Sequence, residues 1–332
     1  MQRVAVIGAG SWGTALAVHL ARIGHDVTLW GRDAALVDEM RARRANPIYL
    51  PDVVFPPGLA ISTDVAEVLA GASIAVVAVP SHGVRAVARQ MAAHLGPGTL
   101  VVSAVKGLEE QSLQRMSEVL VEELPSAGDV AVLSGPSFAV ELARSLPTAV
   151  VVASPSAHTV EHVQSEFRSA WLRLYGTPDV IGVEIGGAMK NTIAIAAGVV
   201  EGLGQGHNAL AALITRGLAE LTRLAVAMGG HRETLSGLAG LGDLVLTCTG
   251  GLSRNRHVGA ELARGRSLGE VVASTKMVAE GVRTTEAALA LGARHGVELP
   301  ITEQMAEVLS GRKDPPSALR ELMGRRQKAE HA

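Results

Sequence analysis

The run Val4-Ala5-Val6-Ile7 leads straight into Gly8-Ala9-Gly10-Ser11-Trp12-Gly13, and a helical pattern follows. Gly8, Gly10 and Gly13 stand where a nucleotide site needs glycine. They allow a tight turn, a close approach of backbone to pyrophosphate, and close packing of helix on strand, with phosphate on the free N–H groups of the helix start. A strand before, a helix after and a second strand beyond it point to dinucleotide binding. A glycine-rich turn without a ligand is the plainer alternative. The second strand ends Leu29-Trp30-Gly31-Arg32-Asp33. Sites that prefer NAD place an acid about 20 residues beyond the glycines, on the ribose 2′-hydroxyl. Gly31 occupies that place here and Arg32 follows, a pairing that suits a 2′-phosphate. NADP is the expected cofactor, with NAD still usable because Asp33 can reach a hydroxyl.

Only five of the 30 lysines and arginines are lysines, and Lys106 and Lys190 sit in uncharged company. Lysine is rarely buried without a reason. Lys190 lies near the start of an Ala/Ile-rich helical pattern, where desolvation depresses its pKa and suits proton transfer to a carbonyl oxygen near neutral pH. Lys106 follows the strand pattern at 100–104, at the carboxyl end where ligands lie in open α/β sheets. The alternatives are a loop charge at Lys106 and a side chain snorkelling from the helix edge at Lys190.

Asp243 offers one carboxylate within Gly240-Leu241-Gly242-Asp243-Leu244. The stretch 247–256 joins two glycines to Ser253, Arg254, Asn255 and Arg256, a combination of backbone N–H groups and guanidinium that receives a phosphoryl group. A polar turn capping a helix from His257 explains it equally well. The strand pattern at 130–133 runs into Ser134-Gly135-Pro136-Ser137-Phe138-Ala139, a Gly-Pro turn that fits a ligand-facing loop. The eleven histidines show no metal-ligand spacing, so no metal is expected, and Cys248 reads as a small buried hydrophobe.

These residues need a scaffold. Apolar β-branched runs at 4–7, 27–30, 74–79, 100–104, 130–133 and 149–152, with a weaker one at 172–175, read as strands apolar on both faces. Helical patterns alternate with them, at 14–23, 84–95 and 112–123. The alternation implies a doubly wound parallel sheet. Beyond about residue 179 the strand signal stops, and helical patterns occupy 189–201, 210–228, 258–264, 284–295 and 301–310. A boundary falls at 175–185.

The 332 residues suit two domains, and 48% hydrophobic against 19% charged residues excludes wholesale disorder. A net charge of −2 argues against nucleic acid as a partner, and one cysteine fits a reducing compartment. No run of 18 apolar residues is free of breaks and no signal peptide is evident, so a cytoplasmic protein without a membrane span is expected.

Taken in order, 8–17, Lys106-Gly107, 133–139, Lys190-Asn191, 240–243 and Ser253-Arg254-Asn255-Arg256 resemble the bacterial type of NAD(P)-dependent glycerol-3-phosphate dehydrogenase, over nearly the whole chain. The resemblance implies a Rossmann-type domain over 1–180 and an all-α domain over 181–332 like the C-terminal domain of 6-phosphogluconate dehydrogenase. It implies interconversion of dihydroxyacetone phosphate and sn-glycerol 3-phosphate, which feeds glycerophospholipid synthesis. The family's proton-transfer lysine matches Lys190. Its substrate residues match Lys106, Gly135, Ser137, Asp243, Ser253, Arg254 and Asn255. Its cofactor residues match Ser11, Trp12, Arg32, Lys106, Ala139, Arg254, Val278 and Glu280. A homodimer is expected. The rivals are another β-hydroxyacid-type dehydrogenase, whose carboxylate substrate an arginine also binds, and a non-catalytic dinucleotide sensor. The joint presence of Lys190, Asp243 and an anion loop favours the enzyme.

Overall fold

A computed structural model describes residues 1–274, 279–327 and 329. Eight strands form one sheet: β1 (Arg3–Ile7), β2 (Asp26–Trp30), β3 (Leu59–Ser62), β4 (Ile74–Val77), β5 (Leu100–Ser103), β6 (Val130–Ser134), β7 (Thr148–Ala153) and β8 (Leu172–Thr177). Their order is β3-β2-β1-β4-β5-β6-β7-β8. Alternate residues feed two cores, as buried parallel strands require. Val4, Val6, Ile74 and Val76 face one layer of helices, while Ala5, Ile7, Ala75 and Val77 face the other. The order reverses between β1 and β4, which opens a crevice at their carboxyl ends.

Two expectations need correction. The strand β3 was absent from the apolar runs because it is four residues long and follows Pro56-Pro57-Gly58; its pairing with β2, Val27 opposite Leu59, makes it a strand. The sheet is also not wholly parallel, since β7 runs antiparallel to β6. Their connection contains only the five-residue helix Ala139–Ala143. That helix is about 7.5 Å long, too short to carry the chain back along the sheet. The chain therefore re-enters β7 from the carboxyl end of β6, beside the crevice.

The second half is helical, centred on Val180–Gly202. This helix begins well before residue 189, because Gly182, Gly186 and Gly187 are close-approach points rather than breaks. Asp179 starts it: Oδ1 accepts from Gly182 N at 2.8 Å and Oδ2 from His231 N at 2.9 Å. The helix is long and apolar enough to cross a membrane, yet 89% of its most apolar window is buried inside the protein. Around it pack Gly206–Ala227, Asp243–Thr249, Arg254–Ala263, Glu280–Arg294 and Pro300–Leu309. A small cluster of Val132, Val151, Ala153, Val183 and Ala239 joins this half to the sheet.

The crossing of Val180–Gly202 with Arg254–Ala263 is set by glycine. A Cβ on Gly198 would lie 1.9 Å from the Arg256 carbonyl oxygen, and one on Gly259 would lie 1.9 Å from that of Ile195. Helix propensity alone favours Gly198→Ala by about 1 kcal/mol. The backbone clash reverses the sign: the variant is expected to lose about 1–3 kcal/mol or more, read as a lowered urea midpoint. A midpoint equal to or above wild type contradicts this packing.

Candidate active site

The glycine turn is built for close contact. Gly8 has φ +121°, and a Cβ there would lie 2.8 Å from the Ala78 carbonyl; one on Gly13 would lie 1.9 Å from Gly8 O. The helix Ser11–Arg22 has no side-chain cap, and its first turn closes with Thr14 N to Gly10 O at 2.9 Å. The N–H groups of Ser11, Trp12 and Gly13 precede that bond and are available to an anion. The Trp12 indole nitrogen is buried without a partner. Asn46 locks the turn from behind: its Nδ2 donates to Ala9 O and Thr14 Oγ1, each at 2.9 Å, and its Oδ1 accepts from Tyr49 N. Free donors over an uncluttered glycine cradle fit a dinucleotide diphosphate.

Gly31 has a different cause from the one its position implies. A Cβ there would lie 2.8 Å from Val37 Cγ2 and 3.2 Å from Ala9 Cβ, so packing excludes an acid. Asp33 caps the helix Ala34–Arg43, its Oδ1 accepting from Leu36 N at 3.2 Å. Arg32 is exposed, and no hydrogen bond or ion pair engages it among the described residues.

The two lysines converge. Lys106, just past β5, donates from Nζ to Gly135 O at 2.8 Å, Ser137 Oγ at 3.3 Å and Asp243 Oδ2 at 2.7 Å. Lys190 donates to Asp243 Oδ1 and to Thr247 Oγ1, the latter at 2.9 Å. Asp243 is fully buried. It follows a π-helical turn, Leu238–Gly242, an irregularity common at functional sites. Each oxygen of one carboxylate therefore holds one ammonium. Lys106 uses all three protons on acceptors, while Lys190 keeps one uncommitted. Gly187 makes the approach possible, since a Cβ there would lie 2.7 Å from Ser134 Oγ and 3.6 Å from Lys106 Cγ. Burial pulls the Lys190 pKa down to about 7; Asp243 opposes the shift and Lys106 adds to it. Burial pushes the Cys248 thiol up to about 12, so no thiolate competes as a nucleophile.

The expected anion loop is partly helix. Asp243–Thr249 is helical, and Arg254–Ala263 starts earlier than residue 257. At Ser253 the capping explanation of the stretch holds: its Oγ accepts from Arg256 N at 3.3 Å. Asn255 donates to Asn191 Oδ1 and accepts from Gly281 N, each at 3.0 Å. Arg256 is taken by Glu201. Arg254 remains, with no hydrogen bond or ion pair among the described residues. It is exposed, yet the surrounding protein lowers its pKa by desolvation, opposed first by Glu280 and then by Tyr49. Glu280 reaches across to Ser81, whose hydroxyl donates at 2.7 Å. Ala139 opens the short helix that packs on Ser11–Arg22. Val278 lies outside the described residues.

Sequence reading missed Thr247, Asn46, Tyr49 and Ser81 as parts of the site. Thr247 had a readable signal, four residues after Asp243 and so on the same helix face. The others depend on loops whose paths no periodicity reveals.

The chain matches the family described as NAD-dependent glycerol-3-phosphate dehydrogenase N-terminus over residues 3–160, and its C-terminus over residues 179–320. It is 51% identical to the glycerol-3-phosphate dehydrogenase [NAD(P)+] of Koribacter versatilis, over 98% of both chains. It is 52% identical to that of Syntrophotalea carbinolica, over 98% of this chain and 99% of the relative. Among solved structures, the glycerol-3-phosphate dehydrogenase of Coxiella burnetii superposes with a TM-score of 0.94 at 42% identity, covering 98% of this chain and 99% of that one.

With Arg32 exposed and unpaired among the described residues, Arg32→Ala is expected to weaken NADPH about tenfold and NADH less than about twofold. Titration of both dinucleotides into both proteins measures this. Equal weakening of the two, or a wild type that prefers NADH, contradicts the assignment of Arg32.

Proposed function

The chain belongs to the NAD-dependent glycerol-3-phosphate dehydrogenase family, and from that premise we propose that its buried lysine–aspartate–lysine cluster is where a ketone is reduced. The enzyme is an NAD(P)-dependent oxidoreductase that reduces dihydroxyacetone phosphate to sn-glycerol 3-phosphate, a step that supplies glycerophospholipid synthesis. The uncommitted proton on Lys190 is the observation that carries the reading.

A nicotinamide dinucleotide held at the glycine turn would supply the hydride that the C2 carbonyl carbon accepts. Negative charge then develops on the carbonyl oxygen, and Lys190 Nζ donates the proton. A donor whose pKa burial has drawn to about 7 is matched to neutral pH. Asp243 and Thr247 fix the direction of Nζ, so the ammonium meets the oxygen without reorganising. Lys106, Gly135 and Ser137 form one wall of the substrate site. Ser253, Arg254 and Asn255 hold the phosphate, and that remote binding orients the carbonyl. Gly8, Gly10, Ser11, Trp12 and Gly13 carry the cofactor diphosphate, and Arg32 the 2′-phosphate. Lys106, Ala139, Arg254, Val278 and Glu280 complete the cofactor site.

This reading divides the chain into a nucleotide domain, 1–180, and a catalytic domain, 181–332, supported by the separate apolar clusters of the sheet and the helices. A sensor without turnover has no use for a second lysine on the same carboxylate. A cytoplasmic homodimer is the expected form, since the single free cysteine suits a reducing compartment and two-fold dimers are the commonest assemblies.

The test compares dihydroxyacetone phosphate with dihydroxyacetone. One charge-assisted bond to phosphate already favours the former by about 10- to 100-fold in kcat/KM. Lys190→Ala is expected to lower kcat by ~10²–10⁴ with cofactor affinity little changed. Equal kcat/KM for the two ketones, or an alanine variant that keeps its kcat, contradicts the reading.

A further inference from the structure

Just beyond the carboxyl end of β4, Ser81 lies buried beneath the first residue of the helix Glu280–Arg294. Its hydroxyl donates to Glu280 Oε2 at 2.7 Å and its backbone N–H to Oε1 at 3.4 Å, so one residue engages both carboxylate oxygens. Gly107 leaves the space for this. A Cβ there would lie 2.6 Å from Ser81 Cβ and 2.7 Å from its Oγ. The contact spans the two halves of the molecule.

The same carboxylate also acts on a nearby cation, Arg254. Asn255 Oδ1 accepts from Gly281 N at 3.0 Å, which stitches the residue after Arg254 to the residue after Glu280. The Glu280 charge acts on Arg254 across that stitch. Yet no ion pair joins them among the described residues, although a guanidinium and a carboxylate that meet form paired hydrogen bonds. Arg256, two residues on, has done so with Glu201. Among the described residues, Arg254 is left with its donors open.

We propose that Ser81 is a positioning residue that holds the Glu280 carboxylate off Arg254, and so keeps that guanidinium open for the phosphate of the substrate. The inference rests on the phosphate-site reading of Arg254. Released from Ser81, Glu280 turns to Arg254 and becomes an internal competitor of the phosphate. The effect is specific to a charged ligand: it raises KM for a phosphorylated substrate and leaves an uncharged one untouched.

The experiment measures steady-state kinetics at saturating cofactor, together with competitive inhibition by inorganic phosphate. Ser81→Ala is expected to raise KM for dihydroxyacetone phosphate about tenfold, with kcat within about threefold and KM for dihydroxyacetone unchanged. Phosphate inhibition should weaken by the same factor. Adding Glu280→Gln to the Ser81→Ala protein should lower the raised KM for dihydroxyacetone phosphate back toward wild type, because a neutral amide competes poorly for a guanidinium; any loss of cofactor binding at Glu280 is read separately, as a raised KM for the dinucleotide. A merely structural role for Ser81 predicts parallel losses for both ketones and no rescue, and that pattern overturns the inference, as does an unchanged KM. Failure of the underlying reading shows separately, as an Arg254→Ala enzyme whose KM for dihydroxyacetone phosphate equals wild type, and that result overturns the inference as well.

Discussion

A single buried carboxylate holds two ammonium groups from opposite halves of the molecule. Lys106 comes from the sheet, Lys190 from the central helix, and Asp243 takes one on each oxygen. Burying an unpaired charge costs several kcal/mol, and the aspartate offsets that cost for both lysines. The triad carries one net positive charge in a place with little water. That is the charge a developing oxyanion requires, present before the substrate arrives. The arrangement also separates the two lysines. Lys106 spends its donors on Gly135, Ser137 and Asp243 and becomes a strut, while Lys190 retains a proton to give.

Everything around the triad serves to bring three backbones this close. The sheet delivers Lys106 and the Gly135 carbonyl at strand ends that face the helices. The π-helical turn aims Asp243 inward. Gly187, Gly198 and Gly259 remove the side chains that would hold the central helix away from its neighbours. Gly198 illustrates the trade: a residue poor for helices is kept because the crossing has no room for a methyl group.

Much of this was legible in the sequence, for identifiable reasons. Buried parallel strands read apolar on both faces, so seven of the eight appeared as runs; β3 is too short and too near two prolines to do so. Lysine in apolar company is conspicuous, and both such lysines reached the site. The ordered motifs carried the family resemblance. What failed was whatever depends on a neighbour distant in sequence. Gly31 also answers to packing against Val37, and Asp33 also caps a helix, two roles that no local pattern announces. The helix of Lys190 seemed to start at 189 because glycines that admit neighbours resemble glycines that end helices. Ser81 gave no signal, since its meaning depends on Glu280, 199 residues away.

The most direct test of the shared carboxylate is the pH dependence of ketone reduction in wild type and Asp243→Asn. Burial lowers the Lys190 pKa to about 7 and Asp243 resists that shift. Wild-type kcat should be level at low pH, where Lys190 is protonated, and fall as pH rises through about 7. Asparagine removes the opposing charge and leaves the repulsion from Lys106. Its midpoint should therefore move down by about one unit or more, with a lower plateau beneath it. Identical midpoints in the two proteins, or a wild-type rate that rises through this range, would contradict the account.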